Sequence, residues 1–454
     1  GIHLHHAMIC TGIGIDPDKC FLVQNPTGGT FGYKFSPTME SMLGVACLAT
    51  GRPVSLNYTQ YQNITYTGKR SPAFMKIKLG ADENGKILAL EGENYIDHGP
   101  YSEFGDLLTM RLTQFVGAGY GIPNIRNTSY CVCTNHAWGS AFRGYGSPQS
   151  FMGTDTAIDV LADKMGMDPF ELRYINAYRP GDTTPTGQTP EVFSLVPMMD
   201  EMRVKENSTD KVKRGVGVSI GVYGCGLDGA DSSEAYAEIT PKGVTIYNSW
   251  EDHGQGADVA TLTIAHEVLK KAGYKPEDIS LVMNDMKFTP NSGPAGGSRS
   301  NVVTGNATRI AAENLLKSLE KPDGTYRTYD EMVAEGLPTK VTGKWVASMC
   351  SDCQIEDGQG APFSNYMYVV NMPEVAVDME TGKVKVEKFT CWVDCGTIIN
   401  KLVVDGQVYG ALAQGIGLAL SEDFEDLKKH TTLVKCGIPQ IEDVPDALDV
   451  HYAK

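Results

Sequence analysis

The 454-residue chain has no run of 18 apolar residues, and this absence excludes a membrane-spanning helix. It also has no excess of basic residues, because 39 Lys and Arg stand against 55 Asp and Glu and give a net charge of -16. Nucleic acids and anionic membranes attract basic surfaces, so the charge disfavours both as partners. The first residues, GIHLHHAMIC, lack the basic region and long apolar core of a signal peptide, and we expect a cytoplasmic protein.

Complete metal-ligand motifs are missing as well. Cys350 and Cys353 form a CxxC motif, but no second CxxC or Cys/His pair completes a zinc site, and the spacings fit no iron–sulfur ligand set. We therefore interpret the eleven cysteines as reduced cytosolic thiols. His3, His5 and His6 alternate, which is more typical of one face of a strand than of a metal site. The chain also lacks an initiator Met, and we expect that it begins inside a longer product.

Glycine, by contrast, is abundant, with 50 residues in the chain. This is about 11% of the sequence, against about 7% in an average protein. One stretch, Gly80–Lys86, nearly matches a Walker A loop. Ile87 stands where Ser or Thr must bind magnesium, and the loop joins two predicted strands, so we reject a P-loop nucleotide site. The remaining glycine-rich turns indicate places where the backbone closely approaches another group.

Local patterns predict a mixture of hairpins and helices. Three hairpins turn at Asn84-Gly85, Pro241-Lys242-Gly243 and Thr381-Gly382. Five helices are predicted, two of which start with Ser-Pro and end at glycine; they cover about 36–50, 147–165, 257–272, 302–320 and 403–420. The fold class is therefore α/β (α+β) with mixed sheets. A boundary is predicted near 190–214, where the sequence is loop-like, polar and charged.

Five glycine-rich loops lie before or within these helices. They are GGTFG at 28–32, SAFRGYGSPQ at 140–149, EDHGQGAD at 251–258, NSGPAGGSRSN at 291–301 and LAQGIG at 412–417. Helix N-termini bind anions, although a single loop of this kind is more often a simple connector. Together the loops carry Arg143, Gln255, Arg299 and Gln414, which predicts a large ligand with more than one phosphate if the loops converge. No GxGxxG pattern supports a Rossmann site.

The ordered set GGTFGYK, AFRGYGSPQ, HGQGAD, SGPAGGSR and AQGIG resembles the molybdopterin-binding region of the xanthine oxidase family of molybdenum hydroxylases. Within that family it is most similar to the bacterial aldehyde oxidoreductases of sulfate-reducing type, which carry molybdopterin cytosine dinucleotide. The resemblance implies two mixed-sheet α/β domains with the cofactor bound between them. It implies residues 1–195 as the second part of the first molybdopterin-binding domain, 196–214 as a linker, and 215–454 as the second domain, truncated at its C-terminus.

The resemblance also implies the residues that hold the cofactor. Phe31 and Gly32 would flank the molybdenum, Arg143 would lie beside its outer ligands, and Gln414 would contact the dithiolene end. No residue would ligate the metal directly, because molybdenum is held through the pterin dithiolene. The full implied set is Gly29, Thr30, Phe31, Gly32, Ala141, Phe142, Arg143, Gly144, His253, Gly254, Gln255, Gly256, Gly296, Gly297, Ser298 and Gln414.

Four further positions match the lining of a substrate channel in the aldehyde enzymes: Phe35, Phe104, Leu107 and Tyr145. Without the resemblance, core packing would be the better interpretation of these residues. Purine-oxidising members carry a glutamate just after the first glycine loop, whereas this chain has aromatic residues there, and an apolar entrance suits aldehydes. Carbon monoxide dehydrogenases place a cysteine in the loop that matches AFRGYG, and none stands there.

The implied activity is the oxidation of aldehydes to carboxylic acids, with water as the oxygen source, a glutamate as base and electrons leaving through the pterin to iron–sulfur clusters. The chain contains no GVGE motif, which carries that glutamate, so no catalytic residue is assignable; Glu103 and Glu422 lie near site motifs without a sequence reason to substitute. We expect a fragment without the [2Fe-2S] domains, from an enzyme with an external electron acceptor and a possible homodimer. The alternatives are a hydroxylase of purines or aromatic N-heterocycles, and a non-catalytic cofactor-binding protein.

Overall fold

The computed structural model of the protein describes residues 1–101, 103–202 and 212–453. Its α-helices are α1 Ile2–Ile13, α2 Glu40–Thr50, α3 Gln60–Tyr66, α4 Gly105–Gln114, α5 Ser147–Met165, α6 Pro169–Asn176, α7 Leu195–Asp200, α8 Ala257–Leu269, α9 Ser300–Leu319, α10 Tyr329–Ala334 and α11 Lys401–Leu420. Its strands are β1 Ala73–Ala81, β2 Ile87–Asp97, β3 Asn124–Val132, β4 Val212–Val216, β5 Ser219–Cys225, β6 Ser232–Thr240, β7 Gly243–Asn248, β8 Ile279–Met283, β9 Lys340–Val346, β10 Asn365–Asp378, β11 Val384–Asp394 and β12 Ala447–Tyr452.

The chain folds into two compact units, each made of separate stretches of sequence. The first unit contains Gly1–Asn57, Cys225–Asp352 and Ala361–Ser364, and the second contains Tyr58–Gly224, Cys353–Gly360 and Asn365–Lys454. Residues 203–211, in the middle of the predicted linker, lie outside the described residues, and α7 occupies the stretch before them.

The first unit is built on a four-stranded sheet in the order β8-β7-β6-β9, in which β7 and β8 are parallel and the other pairs antiparallel. Helices α8 and α9 pack on it over a core that includes Ala235, Ile246 and Leu315, all fully buried. Gly343 on β9 allows the closest approach, because a Cβ there would lie 2.2 Å from the Ala307 carbonyl oxygen of α9. The small residues of the sheet therefore let α9 lie directly on the backbone of β9.

The second unit contains two mixed sheets. One has the order β1-β2-β3, with β2 and β3 parallel, and the other has the order β12-β11-β10-β4, with β5 also paired to β10. A core that includes Ile158, Leu172 and Val370 is shared by helices and both sheets. Mixed sheets with packed helices confirm the predicted fold class.

The three predicted hairpins are confirmed, as β1–β2, β6–β7 and β10–β11. The helix predictions at 147–165, 257–272, 302–320 and 403–420 are also confirmed, within a few residues at the ends. The helix predicted from Ser36 begins later, at Glu40. The Glu40 carboxylate accepts hydrogen bonds from the backbone N–H groups of Thr38 (2.7 Å) and Met39 (3.0 Å), so Ser36 does not cap the helix.

The N-terminal segment contradicts the strand interpretation of the three histidines. Residues Ile2–Ile13 form α1, which ends at Gly14 in the left-handed conformation. Its buried residues are Ile2, Ile9 and Cys10, which are spaced as on one face of a helix. The strand prediction relied on the three histidines and missed this helical spacing. A pattern of three residues is too short to distinguish a period of 2 from a period of 3.6.

Candidate functional site

Three of the five glycine-rich loops lie together in the first unit, and we call residues 28–32, 251–258 and 291–299 the first loop cluster. Thr30 Oγ1 lies 3.3 Å from His253 Nδ1, which joins the first two loops. The buried Glu251 carboxylate accepts a hydrogen bond from the Ala295 backbone N–H (2.9 Å), which joins the second and third. Glu251 also accepts from the Ile2 backbone N–H (3.0 Å), so α1 is tied to the same cluster.

Both the oxygen and the nitrogen of the Gln255 side-chain amide form hydrogen bonds within its own loop. Its Oε1 accepts from the His253 backbone N–H at 2.5 Å, and its Nε2 donates to the Glu251 carbonyl oxygen at 2.6 Å. These two bonds close a tight turn in which Gly254 is exposed. Burial lowers the pKa of His253 below its ordinary value, which favours the neutral imidazole beside Thr30.

The N-terminus of α8 is already occupied by a carboxylate of the chain itself. Asp252 accepts hydrogen bonds from the backbone N–H groups of Gly254 (2.8 Å), Gly256 (3.4 Å) and Asp258 (3.1 Å). A phosphate at this helix end would compete with Asp252 for the same donors. The structure therefore gives no support to α8 as an open anion site.

Arg299 is fully committed to the fold. Its guanidinium donates from Nε and Nη2 to the two oxygens of Asp231 (2.7 and 2.8 Å) and further to the carbonyl oxygens of Ser232, Ser292 and Pro294 (2.6 to 3.1 Å). Five N–H groups thus meet five acceptors, and none remains for a ligand. The prediction that Arg299 binds the ligand, which was based on its glycine-rich loop, is therefore wrong.

In the second unit, the loop 140–146 lies against α11, and we call these residues with Arg70 the second loop cluster. Arg143 donates from Nη1 to Gln414 Oε1 (3.4 Å) and from Nη2 to the carbonyl and side-chain oxygens of Gln407 (2.9 and 3.2 Å). Arg70 donates to the Arg143 carbonyl oxygen at 2.8 Å, and its guanidinium lies 4.4 Å from the Phe142 ring centroid. Burial lowers the pKa of Arg143 and lowers that of Arg70 to about 10.

Three of the four predicted channel residues are in the second unit, and Phe35 is in the first. The Tyr145 hydroxyl donates to the Phe104 carbonyl oxygen at 2.6 Å. Leu107 lies in the first turn of α4, three residues after Phe104, and its side chain is 41% exposed. The hydroxyl of Tyr145 is thus used within the fold, while burial raises its pKa well above the ordinary value.

Backbone strain is concentrated at the predicted site. Six non-glycine residues among those described have a positive φ, and four of them are predicted site residues: Phe31 (51°), Phe104 (53°), Tyr145 (42°) and Ser298 (54°). Bulky side chains rarely adopt this conformation, because Cβ crowds the backbone. Such outliers persist where the surrounding structure enforces them and are typical of functional sites.

Comparison with known proteins identifies the chain. Family models described as "Molybdopterin cofactor-binding domain" match residues 1–177 and 197–445. The chain belongs to the molybdopterin-binding domains of the xanthine oxidase family. The family resemblance found in the five loops is thereby confirmed.

Several relatives of these molybdopterin-binding domains are known. The chain is 57% identical over 462 aligned positions to the aldehyde oxidoreductase of Megalodesulfovibrio gigas, an alignment that covers 100% of this chain and 51% of that protein. Solved aldehyde oxidoreductases from Desulfovibrio gigas (56% identity) and Desulfovibrio desulfuricans (58%) both give a TM-score of 0.97 and the same coverage. Quinoline 2-oxidoreductase from Pseudomonas putida 86, at 23% identity, shares the fold with a TM-score of 0.85, covering 100% of this chain and 64% of that one. The chain spans about half the length of the curated relative that it matches over its whole length.

Two glycines of the first loop cluster lie against aromatic rings, and two others border open space. A Cβ at Gly29 would lie 2.7 Å from the Phe31 ring, and one at Gly296 would lie 2.5 Å from the Phe35 ring. At Gly28 and Gly254, however, an added Cβ would meet no atom within 4 Å. The loops therefore leave room beside their backbones, while Phe31 remains 48% exposed. Such a cradle of bare backbone and one open aromatic face suits a bulky cofactor.

The other residues implied by the family fall into the same two clusters. Ala141 is buried, and Gly144 has a φ of 90°. The Gly297 carbonyl oxygen accepts from the Gly226 backbone N–H at 3.0 Å. Their individual contacts with the cofactor stay a prediction.

The sequence did not predict two residues that contact the loop 140–146, Arg70 and Gln407. Gln407 precedes Gln414 by seven residues, so both lie on one face of α11. This helical spacing could have predicted Gln407, but the motif AQGIG does not include it. Arg70 had no signal, because it lies in an irregular segment far from the loop that it supports. Burial raises the pKa of the nearby Glu422 carboxyl, and the Arg70 charge acts in the opposite direction.

Proposed function

We propose that the chain carries the molybdenum site of an enzyme that oxidises aldehydes to carboxylic acids with water as the oxygen source. The observation that supports this most strongly is the 57% identity, over the whole chain, to a protein named aldehyde oxidoreductase. A likeness confined to the glycine loops would support cofactor binding only. An alignment that covers the whole chain, and therefore also α4 and the loops around it, favours a shared substrate class.

Each loop cluster, taken by itself, offers groups that suit the cofactor. In the first, the backbone at Gly28 and Gly254 borders open space, and the Phe31 ring is exposed. In the second, the three hydrogen bonds of Arg143 to Gln407 and Gln414 leave its Nε–H and one Nη1–H without a partner among the described residues. A guanidinium anchored in this way points its remaining donors at an anionic or oxygen-rich ligand at little entropic cost.

The bound molybdenum–pterin group supplies the two-electron redox chemistry, and the protein supplies binding, orientation and exclusion of water. Phe104, Leu107 and Tyr145 would form an apolar wall of the substrate channel, since the Tyr145 hydroxyl is held by the Phe104 carbonyl oxygen. The same wall would contribute no charged group to the substrate. Aldehydes need only an apolar passage with few polar contacts, whereas purines offer many hydrogen-bonding groups that such a wall leaves unpaired.

We further propose the cytosine dinucleotide form of the cofactor, a homodimeric enzyme in the cytoplasm, and electron transfer through [2Fe-2S] domains to an external acceptor. The resemblance to the dinucleotide-carrying aldehyde enzymes supports these finer assignments. The cofactor form, the dimer and the [2Fe-2S] domains each have a direct measurement. These are the nucleotide released by acid treatment, the mass in solution, and the iron and acid-labile sulfide content of the full-length gene product.

The deciding experiment uses the full-length product of the gene that encodes this chain. We expect molybdenum in the purified protein, cytidine monophosphate on hydrolysis of the cofactor, and dye reduction with a panel of aldehydes. Oxygen from labelled water should enter the carboxylic acid. A molybdenum-loaded protein that hydroxylates quinoline or a purine and leaves aldehydes unchanged would contradict the proposed substrate class, and a protein that takes up no cofactor would contradict the binding function.

A further inference from the structure

A cluster of metal-ligand side chains lies at the N-terminal end of the first unit, on α1 and the turn that follows it. His6 and Cys10 are four residues apart and share one face of α1. Gly14, with a φ of 70°, ends the helix and donates its backbone N–H to the Cys10 carbonyl oxygen. This reversal lets the 3₁₀ turn Pro17–Lys19 fold back, so that Cys20 comes next to α1.

The three side chains are close enough to share one ion. A ring nitrogen of His6 and the Sγ atoms of Cys10 and Cys20 all lie within 4.8 Å of one another. Cys10 is only 4% exposed, whereas His6 and Cys20 are half-buried and the turn Asp16–Lys19 is exposed. The cluster is therefore shielded on its inner side and open to solution on its outer side.

We propose that His6, Cys10 and Cys20 bind one zinc ion, with water as the fourth ligand. Zinc is borderline soft and takes imidazole nitrogen and thiolate sulfur in tetrahedral sites. Bond lengths of about 2.3 Å to sulfur and 2.0–2.1 Å to nitrogen require ligand atoms about 3.5–3.8 Å apart. The three atoms lie within 4.8 Å of one another, so their separations exceed that range by no more than about 1.3 Å.

The surroundings of His6 favour this assignment. His6 Nε2 lies 3.0 Å from the Pro17 carbonyl oxygen, which can only accept a hydrogen bond. The Nε2–H tautomer is therefore favoured, and Nδ1 carries the free lone pair. Ligating histidines usually donate their second ring N–H to a carbonyl or carboxylate in this way.

Binding changes only protonation and involves no oxidation or reduction. Zinc displaces the protons of the Cys10 and Cys20 thiols, which pass to solvent, and two sulfur–zinc bonds form. None of the three ligands belongs to the residues predicted to hold molybdopterin. The zinc ion would join α1 to the turn at 17–20, so its expected effect is on the stability of the first unit and not on the chemistry of the molybdenum site.

The test is a zinc titration of the full-length gene product, purified without a histidine tag. We expect one zinc equivalent per chain that resists a competing chromophoric chelator, and a thiolate charge-transfer band when Co²⁺ replaces zinc. His6→Gln, Cys10→Ala and Cys20→Ser should each weaken zinc binding by at least tenfold. Cys47→Ser, at an exposed cysteine on α2 in the same unit, is the matched control and should bind zinc like the wild type.

Substitution of the buried Cys10 also alters core packing, so the test relies on His6→Gln and Cys20→Ser. The folding of these two variants is checked by circular dichroism. Zinc should raise the urea unfolding midpoint of the wild type and leave that of Cys20→Ser unchanged. The proposal is overturned if these two folded variants retain the wild-type affinity. It is overturned equally if the protein as purified holds no zinc, takes up none, and shows a Cys10–Cys20 disulfide in a non-reducing peptide map.

Discussion

Arg299 and Asp231 form a bidentate ion pair inside the first unit, with 1% and 7% of their side chains exposed. The two residues are 68 positions apart in the sequence, and the pair ties the loop before α9 to the start of β6. Three backbone carbonyl oxygens complete the shell of Arg299. The pair thus fixes the loop that carries Gly296, Gly297 and Ser298, three of the residues proposed to hold the cofactor.

Replacing Arg299 by lysine tests this structural role. Lysine keeps the charge but offers one ammonium group in place of a planar fork, so buried acceptors lose their partners. We expect Arg299→Lys to lower the free energy of unfolding by about 3–5 kcal/mol, measured by urea denaturation. Arg309→Lys, in the exposed pair with Glu313 on α9, should change it by less than about 0.5 kcal/mol. Equal effects of the two substitutions would contradict a special role for Arg299.

Gly296 sets the position of the Phe35 ring. A Cβ at Gly296 would lie 2.5 Å from Phe35 Cε2, so Gly296→Ala must displace the ring. We expect a cost of about 1–3 kcal/mol from overpacking, together with a higher KM for aldehydes if Phe35 lines the channel. Gly28→Ala, where an added Cβ meets nothing within 4 Å, is the control and should be nearly neutral.

A second substitution separates crowding from other effects at Gly296. Phe35→Leu removes the ring edge that the new methyl group would meet, so the double variant should regain most of the stability lost by Gly296→Ala. If the two substitutions cost the sum of their separate effects, the ring and the methyl group do not interact, and the close contact is not what matters.

His98 predicts a pH dependence of stability. Its Nδ1 lies 2.9 Å from Ser71 Oγ, and its Nε2 lies 3.0 Å from the Glu103 carbonyl oxygen. Burial lowers the pKa of His98, while the Glu103 carbonyl and the charges of Asp106 and Asp97 act in the opposite direction. The unfolded chain therefore takes up the proton first. This contribution to stability is complete above about pH 6.5 and is lost as the pH falls from there towards the folded-state pKa.

The measurement is the urea midpoint at several pH values between 7.5 and 5. The His98→Gln variant keeps a donor for the Glu103 carbonyl and does not titrate, so its midpoint should fall less steeply with acid than that of the wild type. The His451→Gln variant, at an exposed position on β12, should follow the wild-type curve. Parallel curves for wild type and His98→Gln would show that His98 is not responsible for the acid sensitivity.

Sequence patterns predicted those parts of the fold whose signals are local. The turn Asn84-Gly85 lies between two stretches of alternating apolar and polar residues, and the hairpin β1–β2 follows from that short stretch alone. The same holds for α5, whose Pro148 and Gly166 mark its two ends within the sequence. The order of the five glycine loops also identified the family, because each motif is contiguous.

Features that depend on distant residues were not visible in the sequence. The partner of Arg299 is 68 residues away, so its loop suggested ligand binding when its donors are in fact used by the fold. The positive φ of Phe31 and of Tyr145 is imposed by neighbouring structure, against the preference of aromatic residues. In α1, alternating histidines concealed the helical spacing of His6 and Cys10, and with it the cluster completed by Cys20.

Arg143 provides the most direct test of the second loop cluster. If its two remaining N–H groups hold the cofactor, as we propose, Arg143→Ala should lower the molybdenum content of the full-length gene product by about tenfold, since a charge-assisted hydrogen bond contributes about 1.5 kcal/mol or more. Molybdenum is measured by elemental analysis after gel filtration, so the result does not depend on activity. Arg126→Ala, at an exposed arginine on β3 in the same unit, should leave the molybdenum content unchanged.

A purely structural role for Arg143 leads to a different pattern of results. Arg143→Ala should then lower the unfolding midpoint, because it removes all three hydrogen bonds between the loop and α11, and Gln414→Leu, which removes only the acceptor at 3.4 Å, should lower it by a smaller amount. If Arg143→Ala instead loses molybdenum while its midpoint without cofactor stays near that of the wild type, the guanidinium acts on the ligand. A variant that keeps full molybdenum content but unfolds more easily would place Arg143 among the residues that hold the fold and exclude it from the cofactor site.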